Sequence, residues 1–368
     1  MTAFAVIAGG GTAGHAVPAL AIARALVRRG HAADEVHLVG SRRAPIDARL
    51  FGGSEFRATY LPGRGIARRL TVQNVGSLAG LAVGLVRAVV LLVRLRPRIV
   101  VSMGGYAAAP CALAAALLRV PLVLAEQNAV PTATHRLVAR FAAASAVPFE
   151  GTPLPRAVVT GNPVRDDFLD VDASPAGRRA ARAELGLPED SFVLLAVGGS
   201  LGARTINVAV RDLAAAWTGR EGVAIRHIVG ERDWDQLGGD DAAIEGVVYQ
   251  RVRFEDRMPL ALAAADLVVS RSGGSVAELA IVGRPAILVP LPIAPYDHQA
   301  ENAKVFVRAG AAVLLDDTEV TSARLGEEID RLRAVDGTLE RMGRAARALG
   351  RPDAAERVAE LVEREAKR

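Results

Sequence analysis

The sequence predicts an α/β protein with two doubly wound halves, each built on a parallel sheet. Short apolar runs alternate with segments of helical periodicity along all 368 residues, which is the pattern of repeated strand–helix–strand units. The composition, with 51% hydrophobic and 23% charged residues, is that of a globular chain. At about 150 residues per domain, the length indicates two domains.

The strands of each half are predicted from continuous apolar runs, which are typical of strands buried on both faces of a parallel sheet. In the first half these runs are Phe4–Ala8, Val36–Val39, Phe56–Leu61, Ile99–Met103, Leu122–Ala125 and Ala157–Thr160. In the second half they are Phe192–Val197, Ala224–Val229, Val247–Val252, Leu267–Ser270, Ala286–Val289 and Ala311–Leu315. Amphipathic stretches such as Pro18–Arg29 separate them and predict the intervening helices.

The domain boundary is predicted at Gly161-Asn162-Pro163, because proline restricts the preceding residue to extended conformations and a polar, turn-rich stretch follows. This gives an N-terminal domain at 1–162 and a C-terminal domain at 163–344, with a cleft expected between them. The remaining residues, 345–368, are expected to be helical, with an interruption at Gly350-Arg351-Pro352. The pattern alone leaves open which half this C-terminal helix packs on.

Charge and composition limit the class of ligand. The formal net charge is +5, and nearly all of the positive charge is arginine, since lysine occurs only at Lys304 and Lys367. Aromatic residues make up 4% of the chain, which leaves few platforms for stacking bases. These features favour an anionic small ligand or an anionic membrane surface over nucleic acid.

Cysteine usage and the start of the chain bear on the compartment. Cys111 is the single cysteine, so neither an internal disulfide nor a cysteine-rich metal site can form. The chain opens without the charged and then apolar pattern of a secretory leader. A reducing cytosol is therefore the expected environment.

Four glycine-rich turns each follow an apolar run and precede a helical segment: 9–15, 104–106, 198–204 and 272–275. A turn of this kind brings backbone N–H groups and the positive end of a helix to one point, where a phosphate binds without a metal. Several such turns at strand ends predict a nucleotide-type ligand. The alternative for any one of them is that glycine simply permits a tight β-to-α connection.

The first turn formally matches the dinucleotide motif G-x-G-x-x-G through Gly9, Gly11 and Gly14. That motif also requires an acid at the end of the second strand to hold a ribose, whereas Asp34 and Glu35 stand at the start of that strand. An NAD-dependent oxidoreductase is therefore a remote alternative. A P-loop NTPase is excluded, because no lysine follows a glycine loop.

Two of the turns carry a side chain that the freedom of glycine does not explain. His15 follows the first loop at the start of a helix expected near Ala16, where the positive helix end disfavours protonation and leaves the imidazole able to accept a proton. The alternative role of His15 is a local contact at the helix start.

Glu278 stands one turn into the helix that follows the fourth glycine turn and can accept both hydroxyls of a ribose. Its spacing from Ser275 is also that of a capping box, which spacing alone slightly favours.

Seven motifs follow one another along most of the chain. They are GGGTAGHAVPAL at 9–20, SMGGYA at 102–107, EQN at 126–128, GNPVR at 161–165, GGSLGAR at 198–204, RSGGSVAE at 271–278 and HQ at 298–299. Together they resemble the MurG family, the UDP-N-acetylglucosamine transferases that complete the lipid-linked disaccharide of peptidoglycan. The resemblance implies a GT-B fold of two Rossmann-like domains, with the UDP-sugar held by the C-terminal domain. It also implies that the acceptor approaches the N-terminal domain and that the final helix packs on that domain.

The same resemblance implies roles for individual residues. The implied substrate contacts are Thr12, Ala13, Gly14, Asn128, Arg165, Ser200, Glu278 and Gln299, and the candidate catalytic residues are His15 and Glu126. Among these, Glu278 would hold the ribose, Ser200 the diphosphate, and Asn128 and Gln299 the sugar hydroxyls. Ala13 stands where many members have glycine, which requires an ordinary φ or mild strain.

The implied reaction is an inverting transfer of N-acetylglucosamine from UDP-N-acetylglucosamine to the 4-hydroxyl of lipid I, the undecaprenyl-linked monosaccharide. Displacement at the sugar C1 develops negative charge on the departing diphosphate. Asp170-Val171-Asp172 formally matches a D-x-D metal motif but falls in the linker, so we expect neither a metal nor another cofactor. Ser200, the amides of 198–202 and the helix dipole are expected to take up the charge, with His15 as the general base.

A lipid acceptor places the enzyme at a bilayer. The mostly apolar stretch 70–95 contains Arg87 and Arg94 and follows three more arginines, Arg64, Arg68 and Arg69. It is too interrupted for a transmembrane span and fits an interfacial helix on anionic headgroups. The alternative is a hydrophobic helix packed on the sheet. The resemblance implies a peripheral location at the cytoplasmic face of the plasma membrane, with other cell-wall synthesis proteins as candidate partners and a role in cell shape and cell division.

Other functions remain open at this point. A GT-B enzyme with another acceptor and a hydrolysing sugar-nucleotide epimerase share the same glycine turns. A non-catalytic protein that binds a nucleotide sugar would also share them.

Overall fold

The computed structural model describes residues 2–62, 72–198, 203–237 and 244–367. Within the helix that begins at Val72, it describes the side chains only from residue 80 onward. The chain divides into an N-terminal unit, Met1–Arg165 with Arg351–Arg368, and a C-terminal unit, Asp166–Gly350. Each unit contains one parallel sheet, which confirms the α/β class with two doubly wound halves.

The sheet of the N-terminal unit has the strand order β3-β2-β1-β4-β5-β6-β7. Its strands are β1 (Ala5–Ala8), β2 (Val36–Ser41), β3 (Arg57–Leu61), β4 (Ile99–Ser102), β5 (Leu122–Ala125), β6 (Ala144–Val147) and β7 (Ala157–Val159). At the centre, Ala8 of β1 pairs with Val39 of β2 on one side and Ser102 of β4 on the other. The direction in which the chain winds across the sheet reverses between β1 and β4, which makes this the switch point of the sheet. Ligands of open α/β sheets bind at a switch point, at the carboxyl ends of the strands.

Helices cover this sheet on both faces. They are α1 (Ala13–Arg28), α2 (Pro45–Gly52), α3 (Val72–Leu95), α4 (Gly105–Leu118) and α5 (Ala133–Val138). On α1 nine of the sixteen residues are buried, among them Ile22 and Leu26, so more than one face of this helix is covered.

The C-terminal unit has the strand order β10-β9-β8-β11-β12-β13. Along the chain its elements are α6 (Pro175–Glu184), β8 (Phe192–Val197), α7 (Arg204–Ala216), β9 (Val223–Ile228), α8 (Glu231–Leu237), β10 (Val247–Val252), α9 (Met258–Ala264), β11 (Leu267–Ser270), α10 (Ser275–Val282), β12 (Ala286–Leu288), α11 (His298–Arg308), β13 (Ala312–Leu314), α12 (Ser322–Arg333) and α13 (Thr338–Leu349). Here the direction in which the chain winds across the sheet reverses between β8 and β11, so the carboxyl ends of these two strands form the switch point of this unit.

The segment 345–368, expected as one interrupted helix, is divided between the two units. Helix α13 ends at Leu349, and a last helix, α14 (Ala354–Ala366), packs on α1 in the N-terminal unit. Gly350 between them is extended, with φ −63° and ψ 143°, and Pro352 cannot continue a helix from the preceding turn. The units therefore change at residues 165 and 350, slightly later than the expected boundaries at 162 and 344.

One strand was missing from the sequence prediction. Strand β6 lies between β5 and β7, and all of its residues are buried. Its sequence, Ala-Ser-Ala-Val, follows further alanines and is typical of a helix rather than a strand. Pairing on both edges within the sheet outweighs that preference.

Candidate active site

The first glycine loop is fixed by a buried carboxylate. Gly10 and Gly11 have φ values of +149° and +89°, and the amide of Gly11 donates to both oxygens of Asp47 at 2.9 Å. The amide of Ser41 donates to Asp47 Oδ2 at 2.8 Å. A Cβ on Gly10 would lie 2.2 Å from Asp47 Oδ2, so glycine is required where the loop crosses this side chain.

Sequence reasoning missed Asp47. The side chain is fully buried in the first turn of α2, and burial raises the pKa of its carboxyl, although the hydrogen bonds from Ser41 and Gly11 oppose that shift. The dinucleotide motif has its acid directly at the end of the second strand, where it binds a ribose. Asp47 stands six residues beyond the end of that strand and binds the backbone of the first glycine loop instead. The signal in the sequence was an acid in the first turn of a helix that begins at Pro45.

His15 lies in the first turn of α1, which begins at Ala13 and not near Ala16 as the sequence predicted. Thr12 is the extended N-cap, and its carbonyl already accepts from the amide of Ala16 at 3.1 Å. Its hydroxyl lies 2.9 Å from Nδ1 of His15, which fixes the imidazole. Ala13 is helical and has no positive φ, so its replacement of glycine causes no strain.

The second glycine turn, at the end of β4, packs directly against the first. A Cβ on Gly105 would lie 3.3 Å from Cε1 and 3.4 Å from Nε2 of His15. The ring of Tyr106 lies against Gly11, 2.9 Å from the position that a Cβ would take there. The structure therefore brings the two N-terminal turns together around one imidazole.

Glu126, expected as a catalytic residue, is 2% exposed and lies at the end of β5. Its Oε1 accepts hydrogen bonds from the amides of Gln127 and Asn128 at 3.0 and 3.1 Å and from Asn128 Nδ2 at 3.1 Å. Its Oε2 accepts from the amide of Thr132 at 2.9 Å and lies 2.7 Å from Nδ1 of His135. This carboxylate thus holds the segment 126–132 and, with it, the side chain of Asn128.

His135 connects this carboxylate to the end of β4. Its side chain is fully buried, and Nε2 lies 3.0 Å from the carbonyl oxygen and 3.3 Å from the hydroxyl of Ser102. Burial raises the pKa of Glu126, but the hydrogen bond and charge of His135 and the bonds from Thr132 and Asn128 outweigh it and lower the pKa to about 2.

In the C-terminal unit, the turn after β11 leads into α10, which begins at Ser275 itself. The N-cap is Gly274, no side chain caps it, and the Ser275 hydroxyl donates to the carbonyl of Arg271 at 3.1 Å. The capping box expected from Ser275 and Glu278 is therefore wrong, because Ser275 is the first helical residue and not the cap. Glu278 is half-buried in the first turn.

Gln299 is held beside this turn. Its Oε1 accepts from the amide of Leu291 at 2.9 Å, and its Nε2 would lie 3.6 Å from a Cβ on Gly273. The Ser272 hydroxyl donates to the backbone carbonyl of Gln299 at 2.8 Å, and Asn302 Nδ2 donates to the carbonyl of Ser272 at 3.0 Å. Hydrogen bonds thus join α11, which carries Gln299, to the turn that leads into α10, which carries Glu278.

Three expectations concern residues outside these clusters. Ser200 and its neighbours 199–202 lie outside the described residues. Arg165 is half-buried at the last position of the first segment of the N-terminal unit. Asp172 of the D-x-D triplet is exposed, and its Oδ1 accepts from the amide of Ser174 at 2.9 Å. Within the described ranges, no three His, Cys, Asp or Glu side chains group so as to hold a metal ion.

Comparisons with known proteins extend over both units. Residues 5–147 match the glycosyltransferase family 28 N-terminal domain, and residues 193–358 match the C-terminal domain of the same family. A relative from Desulforudis audaxviator is 37% identical over 98% of this chain and 97% of its own length. One from Alkalilimnicola ehrlichii is 41% identical over all of both chains. Both carry the name UDP-N-acetylglucosamine–N-acetylmuramyl-(pentapeptide) pyrophosphoryl-undecaprenol N-acetylglucosamine transferase.

Solved structures give the same fold. MurG of Acinetobacter baumannii is 28% identical, with a TM-score of 0.74 over 98% of each chain. The UDP-GlcNAc 2-epimerase of Neisseria meningitidis, bound to UDP-GlcNAc, has a TM-score of 0.68 over 99% of this chain, but at 16% identity it shows the fold alone. The GT-B architecture expected from the sequence is confirmed.

Proposed function

Because the chain belongs to the MurG family of glycosyltransferases, we propose that it transfers N-acetylglucosamine from UDP-N-acetylglucosamine to the 4-hydroxyl of lipid I and so forms lipid II in peptidoglycan synthesis. The observation that carries this function is identity of 37 to 41% with curated relatives of that name over essentially the whole chain. The two family 28 domains together cover most of both sheets, which favours a glycosyltransferase over the NAD-dependent alternative.

His15 is the proposed general base for the acceptor hydroxyl. When Nδ1 donates to the hydroxyl of Thr12, Nε2 is the nitrogen with a lone pair, and it is the side of the ring that faces Gly105. The glycine at position 105 leaves room beside Nε2 that a side chain would fill. The loop that carries His15 is in turn fixed by Asp47.

The donor is proposed to bind the C-terminal unit. Glu278 would accept the ribose hydroxyls, and Gln299, held beside the same turn, would bind the sugar. The diphosphate would lie on Ser200 and the amides after β8, at the positive start of α7. Arg165 would lie near the phosphates, and Asn128 would bind the sugar from the N-terminal unit.

Transfer of radiolabelled N-acetylglucosamine from its UDP donor to lipid I tests this function directly. A labelled lipid-linked disaccharide is the expected product, and its absence with authentic acceptor would contradict the proposal. Incubation of the donor without acceptor provides the control. Release of UDP together with an epimerised sugar in that control would instead support a hydrolysing epimerase.

The proposed route needs no divalent cation, because backbone amides and a helix dipole take up the diphosphate charge. We therefore expect transfer to continue at an unchanged initial rate, within about twofold, in an excess of chelator. The assay compares EDTA-treated enzyme with the same enzyme after Mg²⁺ is restored. A rate that collapses with EDTA and recovers only with Mg²⁺ would contradict this route.

Helix α3 supports a peripheral membrane location. Its valines Val83, Val86, Val90 and Val93 are 48 to 64% exposed and recur at helical spacing, whereas Ala88 and Leu92 are buried against the unit. Arg87 and Arg94 are exposed on the same helix. The described part of the chain contains no helix that is both long enough and apolar enough to cross a bilayer. The upstream arginines Arg64, Arg68 and Arg69 lie outside the described residues.

Vesicle flotation tests this surface with Val86→Asp/Val90→Asp. We expect wild-type protein to float with vesicles that contain anionic lipid and the double variant to bind at least about tenfold more weakly, because charge replaces apolar area at the interface. Val307→Asp, at an exposed valine on α11, is the matched control and should float normally. Equal flotation of the double variant and wild type would exclude this face as the membrane contact.

A further inference from the structure

A cavity of about 680 Å³ opens in the C-terminal unit where β8, β11 and β12 begin. Phe192 opens β8, and Asp266 and Pro285 directly precede the other two strands, and all three residues line the cavity. The glycine turns follow the opposite, carboxyl ends of β8 and β11, which are parallel neighbours. The cavity is therefore separate from the candidate active site.

Arginine side chains dominate the charged groups of this cavity, which we call the arginine cavity. They are Arg178, Arg182, Arg284, Arg333, Arg344 and Arg347, against the carboxylates Asp190, Asp266, Asp336 and Glu340. Asp266 is already shared between two of them, since Arg178 Nη1 and Arg182 Nη2 each lie 2.6 Å from one of its oxygens. The amide of Val193 donates to the same carboxylate at 2.8 Å.

One of these cations is buried on neutral partners. Arg284 is 3% exposed and donates to the carbonyls of Leu262 and Ala263 at 2.7 Å. Carbonyl oxygens satisfy its hydrogen bonds but do not cancel its charge. Burial, followed by the charges of Arg178, Arg347 and Arg182, lowers the pKa of Arg284 to about 9. The wall of the cavity therefore carries positive charge that an anion would stabilise.

The rim supplies donors that can reach a ligand. Arg333 stacks on Phe192, with its guanidinium carbon 4.2 Å from the ring centroid. Its Nη1 is buried and makes no hydrogen bond within the described residues. Arg344 is exposed on α13 and lines the same cavity. A buried donor without a partner costs free energy until a ligand completes it.

We propose that the arginine cavity binds an oligophosphate, an anion of two or more linked phosphates that is either free or carried by a nucleotide. The planar guanidinium fork matches phosphate oxygens two at a time. The volume falls in the range of about 300 to 1,000 Å³ that is usual for small-molecule sites, which leaves room for several linked phosphates. The excess of arginine over carboxylate supplies the counter-charge.

Calorimetric titration with inorganic tripolyphosphate and, separately, with ATP tests the site. Because the proposed donor site also accepts phosphates, the arginine cavity is reported by the part of the binding that variants in the cavity remove. We expect saturable binding of tripolyphosphate that weakens at least about tenfold in Arg333→Ala/Arg344→Ala. ATP that binds more tightly than tripolyphosphate would identify a nucleotide as the natural source, and equal affinity would identify the free oligophosphate.

Two further variants keep the test independent of folding. Val335→Glu adds a negative charge at an exposed lining position and should also weaken binding, while transfer of the sugar to lipid I stays normal. Arg211→Ala removes an exposed arginine on α7 that pairs with Asp212 and should bind as wild type does. No saturable binding to wild-type protein, or equal binding by wild type and both cavity variants, would overturn the proposal.

Discussion

Replacing His15 with alanine is expected to lower kcat for sugar transfer by at least about tenfold, with little change in the KM for UDP-N-acetylglucosamine. A positioned general base is typically worth about 10²- to 10⁴-fold in rate. The imidazole belongs to the N-terminal unit, whereas the donor is proposed to bind the C-terminal unit, so its loss should affect turnover and spare donor binding. Steady-state kinetics with lipid I or a soluble analogue provides the measurement.

Two variants separate proton transfer from simple loss of structure. Thr12→Val removes the hydroxyl that fixes Nδ1 and should reduce kcat by a smaller factor while the imidazole remains. His31→Ala removes a histidine that pairs with Glu363 away from the glycine loop, and should leave kcat unchanged. If the His15 variant turned over at the wild-type rate, another group or water would have to take the proton.

Replacing Glu126 with alanine is expected to lower the free energy of unfolding of the N-terminal unit by about 3 to 5 kcal/mol, because the fully buried His135 then loses its partner. The amides of Gln127, Asn128 and Thr132 lose their acceptor at the same time. We expect kcat to fall as well, since Asn128 is no longer held. Denaturant unfolding followed by kinetics measures both effects.

Glu126→Gln distinguishes a positioning residue from a proton-transfer residue. A positioning role predicts that stability and kcat fall together and that the KM for the donor rises more than the KM for lipid I, because Asn128 is proposed to bind the donor sugar. A proton-transfer role predicts a loss of kcat at unchanged stability, and that outcome would contradict the structural assignment. Glu150→Ala, at an exposed acid in the same unit, is the control and should change neither quantity.

The strands were predictable because a parallel sheet buries both faces, so its strands are written as continuous apolar runs. Leu122–Ala125 and Phe192–Val197 carry that signal and have the expected bounds. Strand β6 does not carry this signal. Its side chains are small, because the neighbouring strands and helices fill the space around it. Its place in the sheet depends on pairing with β5 and β7, which sequence patterns do not contain.

The site was predictable where chemistry is local to a turn. The glycine loop and His15 stand together in the sequence, and the structure brings them beside the turn after β4. Asp47 and His135 act across 36 and 9 residues, on Gly11 and Glu126, and no spacing rule links such positions. The prediction of a capping box failed although the spacing of Ser275 and Glu278 is correct. Helix α10 begins at Ser275 itself, one residue earlier than a capping box at this position requires.

The return of α14 to the N-terminal unit makes the C-terminal unit an insertion within the chain of its neighbour. Val358, Leu361 and Val362 complete the cluster that contains Ile22 and Leu26 of α1. During synthesis, that core must wait with an uncovered apolar face until residues 354–366 have emerged from the ribosome, although its first residues were translated more than 300 codons earlier. Chaperone dependence and sensitivity to premature termination should therefore concentrate in the half of the protein that is made first.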